Sequence, residues 1–463
     1  MGNQNPKIHR AKRGLDLPVT GAVTTLNIVD APPVSTVALL AQDYAGMRPS
    51  FKVKEGDAVK RGQILFEDRK NPGVLFTSFG CGTVSAINRG ERRAFLSIEI
   101  KLSDDDGDES LNEVTYKSYK SGSIDSLNFS DIKELLIESG MWTAFKSRPF
   151  GKIPPVDATP DAIFVTAMDS SPLAPPVEPA ISENSSAFEA GLKILSILSG
   201  GKKFFYCKKE GEKLPVENLS GAEVHEFSGP HPSGTPGFHI HSVFPVNRER
   251  TAWHIGYQDV IAAGKLFLTG KLDVERIISI AGPAAKEPKI VKTRLGAALK
   301  NLVDGEYAGD DVRILSGSIL SGYDAGEKVF NFLGRYHNQI SLLQNDRSRR
   351  FLGWLAPGSN IFSVTRLFLS AFMPSKKFAF STDRFGGKRT LVPFASYDKI
   401  FAFDLMTIHL LRAVLAGDLE SAEELGVLEL DEEDVALLTF VCPSKNEYGP
   451  VLRDVLERLE KEA

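Results

Sequence analysis

Val53-Lys-Glu-Gly-Asp-Ala-Val-Lys-Arg-Gly-Gln-Ile-Leu65, answered by Gly82-Thr-Val-Ser-Ala-Ile87, is the stretch whose reading decides the fold at the start of this 463-residue chain. Gly56-Asp57 makes a tight turn ahead of one strand and Gly62 a second turn ahead of the next, because glycine enters the left-handed region without a Cβ clash. Gly82 lets the returning strand pass close to its neighbour. Outward from this pattern, residues 12–102 alternate short apolar runs with Gly and Pro: Thr36-Val-Ala-Leu-Leu40, Gln63-Ile-Leu-Phe66, Val74-Leu-Phe76 and Phe95-Leu-Ser-Ile-Glu-Ile100. Runs of that length between turn formers predict strands.

Two such halves joined by a hairpin resemble the biotinyl/lipoyl barrel-sandwich pattern. Carrier domains of that kind hold a modified lysine at the hairpin tip. Here the tip reads Arg69-Lys70-Asn71-Pro72-Gly73, without the Asp-Lys-Ala or Met-Lys-Met setting, so Lys70 is expected to be exposed but unmodified. Residues 104–109 read as a solvated, charged break. Residues 128–139 read as a helix capped by Asn128 or Ser130 and ended by Gly140. After Pro154-Pro155, a strand at 161–166, a helix at 187–198 and a strand at 203–207 predict an α/β layer. A strand at 275–281, a helical stretch at 295–302 and a strand at 311–315 resemble a small β-grasp layout, and residues 398–463 are helical by periodicity. The expected fold class is multi-domain α/β. It comprises a β-rich barrel-sandwich hybrid (biotinyl/lipoyl-like) domain at 1–103 and a Rossmann-like α/β domain at 104–262. A β-grasp (SLBB-like) domain at 263–345 follows, then a basic Phe-rich segment with a C-terminal helical domain at 346–463.

Composition narrows the function. With 55 basic and 59 acidic residues the net charge is −4, which argues against a nucleic-acid binder that works through phosphate contacts. The start of the chain is polar and basic with no apolar run behind it, so no signal peptide is expected. The most apolar window, residues 361–373, contains Arg366 and is too short to span a bilayer. Cys81, Cys207 and Cys442 are far apart, which predicts a reducing compartment and too few thiolates for an iron–sulfur cluster. After Val165 the chain reads Thr166-Ala-Met-Asp-Ser-Ser-Pro-Leu-Ala174, with no glycine to let backbone amides approach a pyrophosphate. The usual means of nucleotide binding is therefore not expected.

Gly229-Pro-His-Pro-Ser-Gly-Thr-Pro-Gly-Phe-His-Ile-His241 gathers three histidines. In a strand, His239 and His241 would share a face and His231 could approach, which is a weak candidate zinc set. The sequence places no acidic partner beside them, and three prolines stiffen the loop, so the expectation is a structural loop without metal. Charge is uneven towards the end. Residues 341–417 hold 11 basic and 4 acidic side chains, whereas residues 418–463 hold 4 basic and 14 acidic. Ten of the 29 phenylalanines fall in residues 351–403. This basic, Phe-rich stretch is either core with a solvated rim or a docking surface, with Lys376, Lys377, Lys388 and Arg389 as its probes.

Several strings are distinctive in combination: Lys12-Arg-Gly-Leu-Asp-Leu-Pro18, Asp68-Arg-Lys-Asn-Pro-Gly-Val-Leu-Phe-Thr-Ser78, Gly140-Met-Trp-Thr-Ala-Phe-Lys-Ser-Arg-Pro-Phe150, Gly229-Pro-His-Pro232, Trp253-His-Ile-Gly-Tyr-Gln-Asp-Val-Ile261, Ser316-Gly-Ser-Ile-Leu-Ser-Gly322 and Thr439-Phe-Val-Cys-Pro443. In order and over nearly the whole chain, they resemble the A subunit of the bacterial sodium-translocating NADH:quinone oxidoreductase. That family in turn resembles the NADH-binding flavoprotein of respiratory complex I and its relative in the Rnf complex. Those relatives have a glycine-rich flavin loop where this chain has Met141 to Arg148, and cysteine runs where it keeps Cys442. The resemblance thus implies an inherited fold without redox centres. The implied complex oxidises NADH, reduces ubiquinone and exports sodium, with flavins and iron centres on other subunits. This subunit would be peripheral on the cytoplasmic face of the inner membrane, partnered by integral membrane subunits. Its own role would be docking and quinone binding. The candidate quinone contacts are Tyr44 with Met47 and Arg48, and Met141, Trp142 and Phe145 with Arg148. Two alternatives stay open: a flavin-dependent NADH-binding subunit, and a scaffold without ligand.

Overall fold

The computed structural model describes residues 6–104, 106, 112–214, 221–347 and 355–462. Most of the acidic run at 104–109 and the start of the Phe-rich stretch at 351–354 lie outside the described residues. The strands Thr36–Leu40, Phe95–Leu102, Gly82–Arg89 and Ala58–Val59 form one antiparallel sheet in that order. Pro49–Phe51, Ile64–Asp68 and Leu75–Thr77 form a second. Val37, Leu65, Phe66, Ile98 and Ile100 are buried in a common core. A Cβ on Gly82 would stand 2.0 Å from the Lys101 carbonyl oxygen, so the close strand approach demands glycine there. The hairpin tip that carries Lys70 is docked on the next domain. Asn71 Nδ2 donates to the Ile153 carbonyl at 3.1 Å, and Val156 lies against Gly73. A swinging carrier arm needs a free tip, and this one is tied down.

The α/β layer is a six-stranded sheet ordered Lys7–Arg10, Glu223–Ser228, Lys203–Lys209, Ala162–Ala167, Ala252–Gly256 and Lys146–Arg148. All neighbours are parallel except the last pair. Ala162–Ala167 is buried at every position, as a strand covered on both faces should be. Its side chains alternate between two cores. Ile163 and Val165 pack with the helices Ser185–Leu198 and Tyr257–Thr269. Ala162 and Phe164 pack with the C-terminal helices. The two covering helices touch closely: a Cβ on Gly264 would fall 1.8 Å from the Ala187 carbonyl oxygen.

The third sheet runs Tyr323–Asp324, Val312–Ser316, Gln339–Gln344, Glu275–Ala281, Lys289–Arg294 and Ile28–Asp30, with the short helix Leu299–Val303. The first strands of the chain thus leave the barrel-sandwich. Lys7–Arg10 edges the α/β sheet and Ile28–Asp30 edges the β-grasp sheet. The C-terminal unit is helical: Ser396–Ile400, Thr407–Ala416, Leu419–Glu424, Ala436–Val441 and Tyr448–Glu462.

Three local expectations need correction. The helical stretch expected from 295 starts only at Leu299, because Gly296 adopts φ +64° and Ala297 bridges to Val37. Asp106 is not solvated. Its carboxylate is buried and accepts from Arg294, the Cys81 amide and Arg61. The histidine segment is a helix, Pro236–Val243, not a strand. Pro236 occupies the first helical position and Thr235 caps it by accepting from the Phe238 amide, the two signals that favour a helix start.

Candidate functional site

In a helix, residues two apart point about 200° apart, so His239 and His241 do not share a face. Each imidazole has its own partner. His231 Nδ1 pairs with Ser170 Oγ at 3.0 Å, and His239 Nε2 with the Ser233 carbonyl at 3.0 Å. His241 Nδ1 meets Glu429 Oε2 at 2.6 Å while its Nε2 accepts from the Asp404 amide. Burial pushes His231 down to about 4 and His239 to about 3, which keeps both neutral near pH 7. No group of three or more His, Cys, Asp or Glu placed to hold a metal occurs among the described residues. Cys81, Cys207 and Cys442 form no disulfide, and Cys442 Sγ accepts from Tyr397 Oη at 3.1 Å.

The quinone candidates separate into three settings. Tyr44 is buried, with its ring edge on Phe76 (4.8 Å between centroids) and near Tyr336 (6.1 Å). Its hydroxyl is buried without a hydrogen-bond partner. Met47 is partly buried beside it in the core, and Arg48 is exposed. Met141, Trp142 and Phe145 are buried where the barrel-sandwich meets the α/β sheet. Trp142 Nε1 donates to the Pro154 carbonyl at 2.9 Å, and its ring meets Trp253 at 5.3 Å. Tyr336 joins the two segments, because its hydroxyl donates to the Thr143 carbonyl at 2.7 Å. Arg148 is not part of this grouping. It is fully buried and faces the C-terminal helices, donating to Asp434 Oδ2 at 2.8 Å and to the Glu429 carbonyl at 3.2 Å. Asp431 lies at 3.8 Å. Nearby carboxylates hold Arg148 protonated against the cost of its burial.

Around Tyr44 and Tyr336 the structure assembles charges that are scattered in sequence. Asp43 Oδ2 accepts from the Arg335 amide at 3.0 Å. The Arg335 guanidinium donates to both Asp259 oxygens at 2.8 and 3.0 Å, and Arg276 donates to the same carboxylate. Lys146 Nζ sits 4.1 Å from the centre of the half-buried Tyr336 ring, a cation–π geometry. Burial raises Asp43 to about 7, against the opposing pull of the Arg335 amide and the Lys146 charge. This network ties the barrel-sandwich, the α/β helix Tyr257–Thr269 and the β-grasp layer together. Sequence reasoning missed Asp43, Asp259, Arg276 and Arg335, because no spacing links groups drawn from such distant parts of the chain. The only local hint is that Asp43 and Arg335 each precede a tyrosine.

Comparison with known proteins decides the family. Residues 9–103 match the NqrA N-terminal barrel-sandwich hybrid domain, residues 127–272 the NqrA second alpha/beta domain, and residues 277–326 the NQRA C-terminal domain. The A subunit of the Na(+)-translocating NADH-quinone reductase of Pasteurella multocida is 47% identical over 97% of this chain and 99% of its own length. The same subunit of Photorhabdus laumondii is 48% identical over 98% and 99%. That of Vibrio anguillarum is 48% identical over 97% and 99%.

The chain belongs to the NqrA family.

Its fold class, a barrel-sandwich hybrid followed by α/β and SLBB layers, is the one expected of a member. A chain of an NAD+-reducing [NiFe]-hydrogenase superposes on 48% of this chain with a TM-score of 0.34 at 9% identity, too loosely to carry an argument. No helix among the described residues is long and apolar enough to cross a membrane.

Proposed function

We propose that this member of the NqrA family is the peripheral subunit of a complex that oxidises NADH, reduces ubiquinone to ubiquinol and exports sodium ions. It sits on the cytoplasmic face of the bacterial inner membrane and is held there by integral membrane subunits. Flavins and iron centres belong to the other subunits, and this chain holds none. Support comes from relatives named as the A subunit of such a reductase, which align over 99% of their length.

Within the complex, this chain docks and presents a seat for the quinone head. The observation that carries the quinone reading is the buried Tyr44 hydroxyl, which lacks a partner, on a ring whose centroid lies 6.1 Å from that of the half-buried Tyr336, over which Lys146 sits. A quinone carbonyl accepts hydrogen bonds, and an unpaired buried donor gains about 1–3 kcal/mol when it finds an acceptor. Met47 supplies apolar contact for the ring, and Lys146, held over the Tyr336 ring, supplies a second donor. Met141, Trp142 and Phe145 neighbour Thr143, whose carbonyl accepts from the Tyr336 hydroxyl, and Trp142 is already hydrogen-bonded to Pro154. The test is titration of the purified chain with a short-tail ubiquinone while tryptophan fluorescence is followed. Wild-type chain should bind saturably, and Tyr44→Phe should bind about tenfold more weakly, in line with one lost hydrogen bond. Equal binding by both proteins removes Tyr44 from the site, and no binding by either leaves the scaffold reading. Stoichiometric absorbance at about 450 nm in the purified chain, the colour of oxidised flavin, would instead make it a flavoprotein.

A further inference from the structure

Thirteen large apolar side chains are strongly exposed among the described residues, and nine of them lie between Leu355 and Met406. Phe372 is 83% exposed, Leu367 76%, Phe385 57% and Phe394 43%. A soluble monomer rarely gathers such side chains in one region without a use for them. Residues 355–399 also carry seven basic and two acidic side chains.

The region is presented on a fixed frame. Phe362 and Phe380 pack on Phe440 at 6.4 and 6.0 Å between ring centroids. The Arg389 amide donates to the Ser444 carbonyl at 2.8 Å, Ser444 Oγ donates to the Thr390 carbonyl at 2.8 Å, and Arg384 pairs with Glu447 at 2.7 Å. Both halves of the stretch are therefore moored on one short corner, residues 440–447. Two side-chain-bearing residues here adopt left-handed backbone, Arg366 at φ +53° and Phe385 at φ +47°. That conformation is costly for large side chains and persists where the surroundings impose it. It falls immediately before exposed Leu367 and at exposed Phe385 itself. Among the basic groups, Lys376 is committed to the Ser359 carbonyl and Asn360 Oδ1. Lys377, Lys388 and Arg389 are exposed.

We infer that residues 355–394 form the surface on which this chain docks to another subunit of its complex, and that the facing surface is apolar with an acidic rim. The inference rests on the reading of the chain as part of that complex. Aromatic anchors ringed by cations fit the centre and rim of a protein interface. The excess of exposed cations selects a partner of opposite charge. A lipid surface fits less well. Between residues 356 and 394, all of them described, the helical segment is the short turn Leu369–Phe372, so no amphipathic helix lays these side chains into one plane.

The test uses the membrane complex purified from cells lacking the NqrA subunit, held in zwitterionic lipid discs, with the full chain added back. Wild-type chain should bind. The triple variant Lys377→Glu, Lys388→Glu, Arg389→Glu should bind at least roughly tenfold more weakly with an unchanged unfolding midpoint, because exposed charges contribute little to folding. Phe372→Ser with Leu367→Ser should also weaken binding at an unchanged midpoint, since both side chains are mostly exposed in the free chain. If wild type binds and both variants bind equally well, this stretch is not the docking surface. Equal binding of wild type to protein-free anionic vesicles would also overturn the proposal, in favour of lipid. If wild type fails to bind the complex at all, membership of the complex is what fails, and the docking proposal falls with it.

Discussion

A buried histidine that stays neutral makes stability depend on pH. His231 has an ordinary pKa of 6.5 and is pushed down to about 4 by burial, and His239 is pushed down to about 3. Between pH 6.5 and about 4 the unfolded chain takes up protons on these groups that the folded chain refuses. Stability therefore falls as the pH drops through that window. Urea unfolding at pH 5 should give a lower midpoint than at pH 7.5. His231→Gln, which can keep a side-chain bond to Ser170, should lose about one proton's worth of that slope. An unchanged slope would mean that His231 is not held neutral. The same residues show why a zinc set was readable in the sequence and is not formed in the fold. Three histidines within eleven positions are visible in sequence, but whether they converge depends on backbone that propensity hides. Pro236 and Gly237 obscure a helical period in an eight-residue helix, and that helix turns His239 and His241 apart.

Elements with their own periodicity or cap were legible. The helix expected at 128–139 is Phe129–Glu138, and Asn128 caps it by accepting from the Asp131 amide at 3.0 Å. The Ala162–Ala167 strand and the Ser185–Leu198 helix follow from apolar runs and a helical face in the same way. Pairings were not legible. Lys7–Arg10 finds its neighbour at Glu223–Ser228, and Ile28–Asp30 at Lys289–Arg294, across more than 200 residues that no local pattern connects. The crossing of Ser185–Leu198 over Tyr257–Thr269 is of this kind, since only the finished packing shows that Gly264 must lack a Cβ. Gly264→Ala should force the helices apart and cost about 1–3 kcal/mol, as overpacking of a tight contact does. Chemical denaturation measures this directly, and a neutral result would show that the crossing can give way.

At the scale of the molecule, the C-terminal helices and the α/β sheet share a core and a buried ion cluster. Arg148 comes from the strand Lys146–Arg148, while Asp431 and Asp434 come from the C-terminal unit. Arg453 also donates to Asp431 and, through Nη1 at 2.6 Å, to the Phe150 carbonyl. Arg148 was a candidate in sequence because of its aromatic neighbours, yet its charge serves this joint. Arg148→Met should leave Asp434 buried without its cation and cost about 3–5 kcal/mol. Limited proteolysis should then cut the chain between the α/β layer and the C-terminal helices, whereas wild type resists. Above the single chain stands the proposed role, that of the A subunit of a membrane complex. The most direct test of that role is to purify the chain through a terminal tag from detergent-solubilised native membranes, identify the proteins that come with it, and assay the preparation. Integral membrane subunits in fixed ratio, with NADH-dependent quinone reduction stimulated by sodium, are the expected result. Recovery of the chain alone, with that activity left in the unbound membrane fraction, would contradict it.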